Sequence, residues 1–309
     1  MSQADKTLLL YQRPMLLHQD KHRSLRLTYA GGNFLFAAGS NSFLLAASEI
    51  PEAILHYPVV FIGKEGDAYS LAALTGLMDR QNLFVDAGGK WAPDTYVPAF
   101  VRRYPFVLLE EGPDHLSVGY DAAYTGFSES DGDPLFEADG SSSPLLKHAI
   151  GFLEGFHSEM TATRAFADKL GALGLLVPRI VEVSSGPRKA PRVLQGFFAV
   201  DPDRLAALPA ANLAELAAGP ELGWIYLHLN SLRLVSRLAA RVDAMSASAV
   251  FPADAPVHVG KLPVEARAAA AAVANKPADA KPAVPASRGA AAPRGGNRRV
   301  PRPDGGATR

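Results

Sequence analysis

Residues 95–108 read TYVPAFVRRYPFVL, an apolar run with two adjacent arginines, Arg102 and Arg103, in its middle. A guanidinium stays charged at any ordinary pH, and its planar fork matches a carboxylate or phosphate. The pair is therefore a candidate site for an anion or for an acidic partner. Glu49, Trp91 and Tyr96 fall in or beside the same pattern, and with Arg102 and Arg103 they form the candidate binding set, to which His22 is added as a further pocket candidate. No catalytic or metal-ligating residue is assigned and no cofactor is expected.

HQDKH (18–22) places two histidines at i and i+4, but Lys21 and Arg23 raise the local positive potential, so a surface loop is expected there. His148 and His157 are nine positions apart on one helix and face opposite ways. Asp131, Asp133, Glu137 and Asp139 offer oxygen ligands without the spacing of a calcium loop. SSGPRKAP (184–191) suits an anion less well than it suits a solvated hairpin tip. The chain has no Gly-x-Ser-x-Gly elbow, phosphate loop, dinucleotide-binding glycine pattern or His-Glu-x-x-His. With no cysteine, it has no disulfide, thiolate nucleophile or Cys-based metal site.

An internal repeat says what must position the arginines. SEIPEAILHYPVVFI (48–62) and TYVPAFVRRYPFVLL (95–109) align without gaps at a spacing of 47 residues. Ser48 and Thr95 are expected to cap a helix, with Pro51 and Pro98 in the first turn. Ile50, Ile54 and Tyr57, and likewise Val97, Val101 and Tyr104, recur at i, i+4 and i+7 as a buried stripe. Pro58 and Pro105 end the helix, and a β-branched, aromatic strand follows. Each copy thus reads as a two-turn helix feeding a strand. Arg102 and Arg103 lie off the buried stripe in the last turn, where cations suit the helix dipole. They replace Leu55 and His56 of the first copy, so the architecture itself does not require them.

The 309 residues suffice for one large domain or two small ones, with 48% hydrophobic content and zero net charge. No field over the whole chain points to nucleic acid or an anionic membrane. The charge is unevenly spread: from Ala253 to Arg309 there are ten Lys/Arg and four Asp/Glu, a net of +6. That segment is rich in Ala, Pro and Arg and has no aromatic residue, so a disordered tail is expected over 253–309. A tail contact with RNA or an anionic surface is the less favoured reading. MSQADKTLLLYQRPM carries only three consecutive leucines, so no signal peptide is read there. A soluble, cytoplasmic protein is expected, with surface association by a route without a signal peptide as the alternative.

The fold expected is α+β, a single domain over 1–250 that is β-rich over 25–125 and helical over 143–246. Strands are predicted over 25–30, 34–39, 58–63, 82–88, 106–111 and 115–121. Ser143-Pro144 starts a long helix that stops near Gly171–Gly174. RIVEV (179–183) and VLQGFFAV (193–200) read as a hairpin, and Asp201-Pro202 caps a short helix. Another helix spans 209–219, and one last long helix runs from about Glu221 to Ala244.

In these elements the chain resembles the bacterial SapC family, which is named for a gene linked to a surface-layer locus. The family's ordered elements appear as HRSLRL (22–27), FLFAAGSN (34–41), SEIP (48–51) with HYPVVF (56–61), and NLFVDAGGKWAPDTYVPAFVRRYPF (82–106). PLFEADGSSSP, GALGLL, LQGFFAVD and IYLHLNSL continue the match, which spans about residues 8–240. Ile50 stands where the family usually has Phe, and Arg23-Ser24 where Gly-Asp is expected. The resemblance implies a surface-layer-associated or uptake- or modification-associated accessory role, since relatives tend to lie near flavin halogenases, cupin-like hydroxylases and TonB-dependent receptors. A non-catalytic binding protein, taking a protein partner or a small anionic ligand, is the first reading. An enzyme or enzyme subunit of unrecognised mechanism, acting near such halogenase or hydroxylase systems, is the second.

Overall fold

The computed structural model describes residues 9–29, 31–64, 68–112, 115–183 and 192–248. The tail expected over 253–309 and the loop 184–191 lie outside them. Eleven strands are named in chain order: β1 (Pro14–Leu16), β2 (Arg26–Leu27), β3 (Ser42–Leu44), β4 (Val59–Ile62), β5 (Ser70–Leu74), β6 (Phe106–Gly112), β7 (His115–Asp121), β8 (Phe127–Ser128), β9 (Asp133–Pro134), β10 (Leu176–Val183) and β11 (Arg192–Val200). The helices are α1 (Ile50–Ala53), α2 (Ala99–Arg102), α3 (Pro144–Ala172), α4 (Pro202–Ala206), α5 (Ala210–Ala218), α6 (Glu221–Ser231) and α7 (Val235–Ser248). The class is α+β.

The main sheet is antiparallel, in the order β10-β11-β4-β5-β3. All four residues of β4 are buried, which explains its unbroken apolar run. Phe61 of β4 meets Phe166 of α3 at 6.1 Å and His228 of α6 at 5.1 Å. A second sheet, β1-β7-β6, and a small one, β8-β2-β9, surround a separate apolar cluster. α3 spans both: Leu146 and Leu153 belong to this smaller cluster, while Phe166, Ala167 and Leu170 belong to the main core. Ser143 caps α3 by accepting the Leu146 N–H at 3.2 Å. Gly174, with φ of 67°, ends it, in a conformation that a side chain would disfavour. Asp201 caps α4 through the N–H groups of Asp203 and Arg204.

Several expectations are corrected. Residues 34–39 are not a strand: Leu35–Ala37 forms a 3-10 turn, begun by Asn33 Oδ1 accepting the Leu35 N–H. The turn lets Phe36 stack on Tyr104 with ring centroids 3.9 Å apart. Residues 82–88 form no strand either, apart from a single bridge between Val85 and Trp91. Asn82 accepts the Phe84 N–H, and Asp86 accepts those of Gly88 and Lys90, so local side-chain turns displace the ladder. The strand expected over 25–30 shrinks to Arg26–Leu27.

The helices of the repeat are single turns, and neither Ser48 nor Thr95 caps one. Thr95 Oγ1 instead donates to the Ala92 carbonyl at 2.6 Å. The helix expected over 221–244 is interrupted by a 3-10 turn at Leu232–Leu234. Here α6 turns its polar side chains on the sheet: Ser231 Oγ accepts the Val59 N–H at 2.9 Å and donates to the His228 carbonyl at 2.6 Å.

Candidate functional site

The site is built around Glu49, which ends the 3-10 turn Ala47–Glu49 and is only 8% exposed. Its Oε2 accepts the Ala46 N–H at 2.8 Å. Its Oε1 reaches across to the second repeat unit, accepting the Tyr96 hydroxyl at 2.6 Å and the Ala99 N–H at 2.7 Å. One carboxylate thus satisfies three donors and clasps the entry of α2 to the turn before α1. It also does what Thr95 does not, partnering an N–H at the start of α2.

Arg102 completes the chain. Its Nη2 donates to the Tyr96 phenol oxygen at 3.2 Å and its Nε to the Val97 carbonyl at 3.0 Å. Burial raises the Tyr96 pKa, and the hydrogen bond to Glu49 and the charge of that carboxylate raise it further, while Arg102 opposes them. The phenol therefore stays protonated at neutral pH, and the chain has one direction: Arg102 donates to Tyr96, and Tyr96 to Glu49. The guanidinium lies 5.7 Å from the Tyr96 ring centroid and 5.3 Å from that of Phe152 on α3. Arg102 is exposed and forms no ion pair among the described residues.

Glu49 and Arg102 border an open groove of ≈ 370 Å³ between this segment and α3. The α3 wall consists of Gly151, Phe152, Gly155, Phe156 and Glu159. The two walls are tied beneath by Thr163, whose Oγ1 accepts the Ala47 N–H and donates to the Glu159 carbonyl, both at 2.7 Å. Sequence reasoning missed the α3 wall. The available signal was Gly151 and Gly155, four positions apart inside a long helix, where each glycine costs about 1 kcal/mol relative to alanine.

The remaining candidates stand elsewhere. Arg103 does not line the groove itself: it lies 4.2 Å over the Phe100 ring, 5.8 Å from that of Tyr11 and 5.4 Å from that of Phe156, whose side chain forms part of the α3 wall. Trp91 is a core residue, donating from Nε1 to the Tyr57 hydroxyl at 3.1 Å. Tyr57 in turn donates to the Tyr96 carbonyl, so Trp91 supports the groove from behind. His22 packs edge-on to Tyr120 in the smaller cluster and stacks with His18, whose N–H its Nδ1 accepts. Burial, with the charges of His18 and Lys21, lowers its pKa. Among the described residues no group of three or more His, Asp or Glu is placed to hold a metal ion, and no helix is long and apolar enough to cross a membrane.

The SapC family model matches residues 17–238, which include both repeat units, α3 and α6. The chain belongs to the SapC family. The matched span contains every residue of the SapC groove just described. No curated protein and no solved structure matches the chain.

Proposed function

We propose that this SapC protein is a non-catalytic binding or accessory protein whose groove holds a carboxylate-bearing ligand or partner. The observation that carries the reading is Arg102: an exposed guanidinium at a groove mouth, oriented by Tyr96 and Val97, with no carboxylate partner among the described residues. With two N–H bonds directed at Tyr96 and Val97, it keeps three for an incoming anion. Glu49 is engaged by three donors and buried, which suits a bracket better than a base. A surface-layer setting is the context the family name suggests for such a protein, and an uptake or modification setting is the one suggested by the genes that tend to lie near its relatives.

The test is titration of the protein with benzoate and with short alkyl carboxylates, followed by chemical-shift changes. Binding is expected to shift resonances along 151–159 and to weaken at least tenfold in Arg102→Ala. Carboxylate binding that is equally strong in folded Arg102→Ala, or absent in the wild-type protein, overturns the reading. Cell fractionation with affinity purification from the native cell then tests the surface-layer setting.

A further inference from the structure

We propose, resting on the carboxylate reading above, that the natural occupant of this groove is an extended segment of a partner protein carrying one cationic and one anionic side chain three residues apart, with small apolar residues between them.

The groove lies open along α3 instead of closing round a ligand, as small-molecule sites do. An open trough between two walls suits a chain that enters and leaves at its ends. Its floor admits a backbone. A Cβ added to Gly151 or to Gly155 meets nothing within 4 Å, so the helix surface there is bare main chain. Phe152 and Phe156, both half-buried, supply apolar contact on either side of those glycines.

The charges set the pattern. Arg102 stands on the wall opposite α3, over the Phe152 ring, and Glu159 stands on α3 itself. Both are exposed, and neither has an ion-pair partner among the described residues. From Phe152 to Glu159 is seven helical positions, about 10 Å at the helical rise. An extended chain covers that distance in about three residues. Side chains alternate along a strand, so residues i and i+3 point to opposite walls. The occupant's acid then meets Arg102 while its cation meets Glu159. A residue between them faces the glycine floor, where a small or straight apolar side chain fits. The Thr163–Ala47 hydrogen bond holds the walls at this separation before anything binds.

The experiment uses capped, fluorescein-labelled peptides Gly-Lys-Ala-Ala-Glu-Gly and Gly-Glu-Ala-Ala-Lys-Gly, read by fluorescence anisotropy against the full chain. One order is expected to bind at least tenfold more tightly than the other and than a control with Gln at both charged positions. Arg102→Glu combined with Glu159→Lys is expected to exchange the preference between the two orders, a result that loss of folding cannot produce. Gly155→Leu is expected to abolish binding while keeping the melting temperature, because Leu is the better helix former and the space above it is open. Equal binding of charged and neutral peptides overturns the proposal. So does Arg102-dependent benzoate binding without peptide binding, which leaves the carboxylate reading standing. A dimer in sedimentation that Gly155→Leu dissociates would place a second copy in the groove and also overturn it. Failure of peptides and carboxylates alike removes both readings.

Discussion

At the scale of single residues, the groove depends on one acid and the sheet on one histidine. Glu49→Ala leaves the Ala46 and Ala99 N–H groups and the Tyr96 hydroxyl without their acceptor. With at least two of these shielded from water, a loss of about 3 kcal/mol or more is expected in urea unfolding, against about 1 kcal/mol for Tyr96→Phe. Similar losses for the two would show that the clasp is not what stabilises this turn. His228 is 1% exposed; its Nδ1–H donates to the Val59 carbonyl at 2.7 Å, and its Nε2 accepts the Val200 N–H at 3.2 Å. Burial lowers its pKa to about 4, so in the folded protein it is neutral. Between pH 6.5 and 4 the unfolded chain therefore binds a proton that the folded chain refuses, and stability falls as pH falls through that window. From pH 7 to 5 the expected loss is about 2 kcal/mol. Burial lowers the pKa of His22 and His56 as well, with the same sign. Denaturant titrations at the two pH values should show a smaller loss in His228→Leu, despite its lower stability at pH 7. An identical pH dependence in the two proteins would contradict this role.

At the scale of elements, α3 acts as a wall and Thr163 as its tie. Thr163→Val removes the acceptor of the Ala47 N–H, in a buried position, with little change in shape. A loss of about 1–2 kcal/mol is expected, together with weaker ligand binding in the groove, because the two walls are then free to separate. Unchanged affinity in this variant would show that the groove's width does not depend on the tie. The same scale explains where sequence reasoning went astray. FLFAAG and NLFVDAG have strand-like composition, but Asn33, Asn82 and Asp86 each place a side-chain oxygen on a nearby N–H and turn the chain locally. A short polar residue competing for the backbone outweighs the preference of its apolar neighbours, and periodicity does not register that competition. α3 was legible because Ser143, Pro144 and Gly174 mark its ends and its apolar positions recur at helical spacing over eight turns.

At the scale of the whole molecule, two cores share one helix. Leu153 lies in the cluster beneath the β1-β7-β6 sheet, and Leu170 in the core of the main sheet. Because α3 runs unbroken from one to the other, the two cores are expected to unfold together. Leu153→Ala and Leu170→Ala should each lower a single unfolding transition, by about 2–5 kcal/mol. Two separate transitions in either variant, followed by near-UV and far-UV circular dichroism, would show the cores to be independent. Asp121 belongs to this scale too. Fully buried, it accepts the N–H groups of Gln12, Arg13 and Ala123 and the hydroxyl of Tyr104, and so fastens the N-terminal segment to the second repeat unit.

Read from its residues alone, the chain already yields the α+β class, the long capped helix, the strands after Pro58 and Pro105, and the Arg102–Tyr96–Glu49 set as a place to look. Each of these rests on local physics: apolar spacing, capping and the behaviour of proline. Folding supplied what local physics leaves open. It joined Glu49 to Tyr96 and Ala99 across about fifty residues of sequence, brought Gly151 and Gly155 opposite Arg102, and set Arg103 against Phe100, Trp91 against Tyr57 and His22 against Tyr120. Adjacent arginines of identical chemistry point to different neighbours because a helical turn separates them by about 100°. Which of the two meets the groove is settled by what packs on each side, a tertiary matter that local spacing and capping do not register.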